Sequence, residues 1–229
     1  MPYIRQLIKQ KQMKRSITIP QTLNDITLKQ WIEYTTLEEP TNERMVSLFC
    51  NISGNELLNL PNKIYSKAVD GLSDVIDSCN GKQTLTLRFK LGGVEYGMIP
   101  NLDEITYGEN KDLLAMLTDW KTMDKAMAVL YRPITKSSFG TYEIEQYSGK
   151  HIKENSKFLE HMPLDIVLGA KLFFWSLTNE LLRCIPSYLE RMIDKEMTTT
   201  QQEELSKKLG VDTKKHITLL KETLEDLTK

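Results

Sequence analysis

The sequence predicts an α+β fold, mostly helical, with one small antiparallel sheet. Three observations carry that prediction. Apolar residues recur at helical spacing through most of the chain, two alternating runs meet at Gly92-Gly93, and prolines and Asn/Asp clusters punctuate the remainder. The chain has 229 residues, 40% hydrophobic and 27% charged, which suits a globular protein with a substantial core.

The elements follow in order. Ser16 to Pro20 (SITIP) is β-branched and ends in proline, so it reads as a short edge strand. The Asn24-Asp25 turn leads to a helix starting near Thr27, with Leu28, Trp31, Ile32 and Thr35 on one face. Pro40 ends it, and Thr41 caps a second helix carrying Met45, Leu48 and Phe49. Ser53-Gly54 opens a short turn through Leu58. Pro61, tolerated in a first helical turn, precedes a helix with Ile64, Ala68, Leu72, Val75 and Ile76 inward. Thr84–Leu91 and Val94–Ile99 flank Gly92-Gly93 and form the clearest β-hairpin signal in the chain.

Thr106–Trp120 and Thr122–Tyr131 read as helices, Ile134–Gly140 as a loop and Tyr142–Tyr147 as a strand. A small helix around Lys153–Glu160 precedes a long apolar one from Pro163 to about Cys184, which Pro186 breaks. The tail reads as a C-terminal helical hairpin. Thr200 and Glu203 have capping-box spacing, Gly210 stops the first helix, and Ile217, Leu220, Leu224 and Leu227 give the second a narrow apolar seam suited to a partner.

An internal echo runs through this order. Ile19-Pro20 through Ile26-Thr27 is answered by Ile99-Pro100 through Ile105-Thr106, and Pro61-x-x-Ile64-x-x-x-Ala68 by Pro163-x-x-Ile166-x-x-x-Ala170. Each echo is common capping grammar, but four anchors in one order suggest pseudo-duplicated halves, 17–80 and 84–190. The expected organisation is a basic arm (1–15), an α+β body (16–195) and a helical tail (196–229).

Charge is divided unevenly. The net charge is −1, but residues 1–15 carry Arg5, Lys9, Lys11, Lys14 and Arg15 with no acid. That arm is +5, so the rest of the chain is −6. The arm is a candidate contact for DNA or an acidic neighbour, whereas the body as a whole would repel phosphates. The tail resembles a helix-turn-helix in spacing, but six lysines there are cancelled by six acids, and Glu222, Glu225 and Asp226 lie on the would-be reading helix. Packing against protein is the stronger reading for that hairpin.

Few residues suggest catalysis. The sequence has no phosphate loop, dinucleotide fingerprint, nucleophile elbow or HExxH. His151, His161 and His216 are far apart and read as ordinary surface or packed histidines. Cys50, Cys79 and Cys184 are odd in number and widely spaced, which suits reduced thiols better than disulfides. The longest apolar stretch, Ile166–Trp175, is too short to span a bilayer, and the first fifteen residues lack a signal-peptide core. No cofactor, metal or catalytic residue is expected. Ten methionines and Phe173-Phe174-Trp175 suggest adaptable packing; any exposed share would mark a protein partner.

The phrases IPQTLNDITLKQWIEY, GVEYGMIPNLDEITYGENKDL and AMAVLYRPI resemble a family of uncharacterised proteins in virion-structure gene blocks of crAss-like tailed bacteriophages of gut Bacteroidales. The resemblance covers roughly residues 17–190 and leaves out the arm and tail. It implies a non-enzymatic virion protein made in the bacterial cytoplasm. The favoured role is internal cargo stored in the capsid or tail lumen and ejected with the genome, in many copies against portal, tail or capsid proteins. A tail-assembly chaperone absent from the mature particle is the alternative, and a DNA-binding regulator stands behind both.

Overall fold

The computed structural model describes residues 17–177. The basic arm and the helical tail, with Cys184 and His216, lie outside those residues. Contacts divide the chain into two units at Gly169/Ala170.

The first unit is α+β. Its elements run α1 (Leu28–Thr35), α2 (Asn42–Phe49), α3 (Gly54–Leu58), α4 (Asn62–Asp77), β1 (Arg88–Leu91), β2 (Val94–Met98), α5 (Tyr107–Met116), α6 (Met123–Leu130), β3 (Tyr131–Ser138), β4 (Thr141–Ile144) and α7 (Gly149–Leu159). An eighth helix, α8, begins at residue 164. The four strands form one antiparallel sheet in the order β1-β2-β3-β4.

Helix starts follow the sequence closely, because capping is local chemistry. Thr27, Thr41, Ser53 and Thr106 are all N-caps whose hydroxyls accept from the backbone N–H three residues on, although Gly54–Leu58, expected as a turn, is the short helix α3. The amphipathic faces match in part: Leu28 and Trp31, Met45 and Phe49, and Ala68, Leu72 and Val75 are buried. Val46 is buried where the spacing predicts Leu48, however; Leu48, Ile32, Ile64 and Ile76 are half-buried, and Thr35 is exposed. Trp31 joins Phe49 and Trp120 through ring contacts at 6.5 and 5.9 Å. The Gly92-Gly93 hairpin forms as expected. Leu91 pairs with Val94, and both glycines have positive φ (57° and 84°), the type I′ geometry that suits a twisted hairpin.

Four β assignments differ. Ile17–Pro20 is not a strand: no ladder forms there, Ile19 packs over Gly71 of α4, and Gln21 Nε2 donates back to the Ile19 carbonyl. The Thr84–Leu91 strand shortens to β1. Upstream, the Thr84 carbonyl abuts Gly169, where a methyl group would collide with it, and the Thr86 carbonyl accepts from the Tyr131 hydroxyl at 2.8 Å. The strand at Tyr142–Tyr147 narrows to Thr141–Ile144.

The largest correction is β3, where Ile134–Gly140 reads as a loop but continues a strand begun at Tyr131. Pro133 misleads, because a proline removes a ladder donor. It is tolerated because β3 changes partner there. Residues 131–133 pair with β2, residues from Ile134 onward pair with β4, and the Pro133 carbonyl accepts from Glu145 N at 2.9 Å.

Helices adjust less. The first of the two predicted between Thr106 and Tyr131 stops at Met116, and a 3-10 turn at Trp120–Thr122 leads into α6. α7 starts four residues earlier than expected.

Burial centres on α6. Met123, Ala126, Met127, Ala128, Val129 and Leu130 have no exposed surface, nor does Tyr131 after them. α5, α7 and α1 pack around this helix. The ends of the unit are tied across more than 130 residues. Leu28 and Lys29 donate their N–H groups to the Met162 and Glu160 carbonyls, Leu164 N donates to the Ile26 carbonyl, and Lys29 Nζ meets Glu160 Oε2 at 3.0 Å. Those backbone donors belong to the first turn of α1, which has no partner inside the helix.

The echo survives in local structure. Ile19-Pro20 and Ile99-Pro100 each lead into a 3-10 turn (Leu23–Asp25 and Leu102–Glu104), then to a threonine capping box and a helix. It fails at the strands, since Met98 ends β2 while nothing pairs with residues 17–20.

In the second unit, residues 170–177 are helical, and Phe173 and Phe174 contact edge-to-face at 5.3 Å. Cys50 and Cys79 are free thiols. Among the described residues no helix is long and apolar enough to cross a membrane.

Gly97 is the position where the sheet tolerates least. A Cβ there would collide with the Tyr142 ring and lie 3.0 Å from Ile134 Cγ1. The ring cannot retreat freely, because its hydroxyl donates to the Met98 carbonyl at 2.7 Å and the Arg88 guanidinium covers it at 4.2 Å. Gly97→Ala is expected to lower unfolding free energy by about 2–3 kcal/mol, read as a shift in the urea midpoint; an unchanged midpoint would contradict this packing.

Candidate functional site: a groove over a buried ion pair

The first turn of α5, the end of β2 and the segment after β4 surround a groove of about 740 Å³. Its floor is built from capping grammar. Glu109 is the third residue of α5, and its Oε2 accepts from both the Thr106 N–H and the Thr106 hydroxyl at 2.7 Å. The same carboxylate's Oε1 accepts from Arg132 Nη2 on β3. Side-chain exposures of 5% and 7% place this ion pair inside the protein. Arg132 Nε is buried without a hydrogen-bond partner.

The pair has a neutral counterpart. Gln30 holds the equivalent place after Thr27, closes the same capping box, and sends its Nε2 to the Leu48 carbonyl at 2.9 Å. An amide at this position therefore reaches a carbonyl on α2, while a carboxylate reaches a guanidinium on the sheet.

Aromatic and acidic side chains form the walls. The Tyr147 hydroxyl donates to Asp112 Oδ2 at 2.8 Å, and its ring lies so close to Gly108 that a Cβ there would sit 2.8 Å away. Burial raises the Tyr147 pKa, and the bond to Asp112 adds to the effect. Glu145 accepts from Asn155 Nδ2 at 3.3 Å and lies 3.3 Å from His151 Nδ1, within ion-pair distance but not aligned as a hydrogen bond. With Glu104 also on the rim, acids outnumber the single arginine among the lining residues. An anionic ligand would meet repulsion there.

Glu109 is not poised as a general base. Burial pushes its pKa up, but the two Thr106 hydrogen bonds and Arg132 together outweigh burial and hold it below the ordinary glutamate range. A catalytic base near neutral pH needs the opposite shift and a free lone pair directed at substrate. The pair instead locks the start of α5 to the central strand. Among the described residues, no three His, Cys, Asp or Glu side chains assemble as a metal site would require.

The residues singled out from sequence fall elsewhere. Arg5, Lys9, Lys11, Lys14 and Arg15 of the arm, and Ile217, Leu220, Leu224 and Leu227 of the seam, lie outside the described residues. The sequence reading missed Glu109 and Arg132. A signal existed, since Thr106-x-x-Glu109 is a capping box, but nothing local announces that its carboxylate will be buried against a strand 23 residues away.

No protein-family model, curated protein or solved structure matches this chain.

Two outcomes are expected from the ion pair. Glu109→Gln keeps the capping box, as Gln30 shows, but strands Arg132, and Arg132→Met strands Glu109. Each is expected to cost about 3–5 kcal/mol, and the double variant clearly less than their sum. Additive losses in chemical denaturation would refute the coupling. The pH dependence follows from the lowered Glu109 pKa. Its contribution is fully present above the unfolded glutamate range (about 4.3) and is lost as pH falls through the lower folded value. The stability gap between the wild-type chain and Glu109→Gln is therefore expected to narrow on acidification; a gap constant from pH 7 to acid would contradict this.

Proposed function

We propose that this chain is a non-enzymatic bacteriophage virion protein, carried as internal cargo in the capsid or tail lumen and ejected with the genome. It works by binding other proteins of the particle, in many copies.

The observation that carries this reading is the placement of large apolar side chains in water. Leu58, Tyr107, Leu114 and Phe158 are all more than 60% exposed although the core is well filled. Tyr107 and Leu114 lie two turns apart on α5, so they share its outer face, while Glu109 and Leu113 occupy the buried one. Exposed Asn110 and Lys111 lie between them, so the face is mixed, and it is the two large apolar side chains left in water that suit a chain completing its packing against neighbours.

The phage resemblance supports the same reading. Its phrases fall on α1 with its cap, on the stretch from β2 to α5, and on the buried α6–β3 segment. These are the segments that hold the first unit together, so the shared wording is that of a scaffold. Portal, tail and capsid proteins are the natural partners, and the +5 arm offers a contact to DNA or an acidic wall.

Mass spectrometry of purified particles, before and after triggered genome ejection, tests the proposal. Cargo is expected in full particles and depleted from emptied ones. Presence in infected cells but absence from particles would replace it with the assembly-chaperone reading, and retention in emptied shells would make the protein a fixed structural component.

A further inference from the structure

The β3–β4 hairpin carries an unusual tip. Ser138 pairs with Thr141, so Phe139-Gly140 is a two-residue loop, and both residues have positive φ (44° and 88°). Asn-Gly is the ordinary occupant of such a turn. A phenylalanine in the left-handed region is strained, and this one is also completely exposed. Neither feature helps the isolated fold. The tip is nonetheless held firmly: Arg88 Nη2 donates to the Gly140 carbonyl at 2.8 Å, Arg88 Nη1 to Ser137 Oγ at 3.3 Å, and the Thr141 hydroxyl to the Ser138 carbonyl at 2.7 Å. The ring is thus presented on a rigid support, which lowers the entropy lost when it docks.

The same unit has a receptor of matching character. Between α1, α2 and α3 lies a groove of about 500 Å³ lined by half-buried Leu37, Leu48 and Leu57, with Glu33 and Glu43 among its walls. Its volume accommodates a phenyl ring. Lys136 near the knob is neutralised by Glu143, so the Arg88 guanidinium at the tip supplies its excess positive charge. The groove, with two acids against Arg44, leans negative. The groove is large enough for the ring, and its apolar lining and charge complement the knob.

We propose that Phe139 of one copy seats in the Leu37/Leu48/Leu57 groove of a second copy. A single knob-to-groove contact is heterologous, so it propagates into rings or open chains unless two copies exchange knobs reciprocally and close as a dimer. This inference does not depend on the virion reading and holds whether or not that reading stands.

Sedimentation velocity of the full chain across a concentration series provides the test. Small interfaces are weak, so the wild-type chain is expected to associate in the micromolar range. Phe139→Asn relieves the strained turn and removes the ring, so it keeps the fold; it is expected to weaken association at least tenfold, as loss of a central aromatic does. Leu57→Lys in the groove, with its fold checked by circular dichroism, is expected to do the same. Each variant alone should be monomeric, while an equimolar mixture should form dimers and nothing larger, because one intact knob and one intact groove remain. A monomeric wild-type chain, unchanged association in Phe139→Asn, or failure of the mixture to dimerise would each overturn the proposal. So would Phe139-dependent binding to lipid vesicles without self-association.

Discussion

Burial of the continuous run from Ala126 to Arg132 is the constraint on which the first unit depends. Apart from Asp124 and Lys125 in its first turn, every residue of α6 is buried, so the helix must be surrounded, and α1, α5 and α7 supply that enclosure. The chain then enters β3 without a connecting loop, so helix and sheet share one rigid axis. The Leu130 carbonyl accepts from Ile99 N, which sets the end of β2 against the end of α6. Arg132, two residues on, enters the sheet beside Gly97 and must find a partner in the interior. Glu109 is that partner, and through it the start of α5 is fixed. Placing a charge so deep costs desolvation, which the Thr106 hydrogen bonds and the ion pair together offset.

The surface shows the converse economy. The core is closed by leucine, isoleucine, valine, methionine, alanine and aromatic side chains, yet Leu58, Tyr107, Leu114, Phe139 and Phe158 remain in water. Residues of this size placed outward contribute nothing to the monomer, and Phe139 adds a strained turn. The proposed role of binding other proteins would account for both halves of this pattern. The acid-rich groove above Glu109 and the leucine-lined groove between α1, α2 and α3 offer two surfaces of different character.

The internal echo shows how a local motif can keep its grammar while its tertiary role changes. Thr27 and Thr106 cap their helices identically. Gln30, neutral, ends on a backbone carbonyl; Glu109, charged, ends on the guanidinium that ties helix to sheet. One residue of difference separates an ordinary cap from the buried charge centre of the fold.

What could be read from the chain alone was what short-range chemistry decides. N-cap hydroxyls, the Gly92-Gly93 turn, the burial of Leu28, Trp31, Leu72 and Val75, and the α+β class all follow from contacts within a few residues. Long-range placement was not legible. The β-branched stretch 17–20 lacks a neighbouring strand and forms no ladder, whereas Tyr-Arg-Pro-Ile-Thr-Lys-Ser-Ser becomes a central strand because two neighbours share it on either side of Pro133. Glu109 could be recognised as a capping residue, but only the sheet's position buries it against Arg132. Strand pairing and ion-pair burial depend on partners distant in sequence, and their energies exist only once the chain has closed around them.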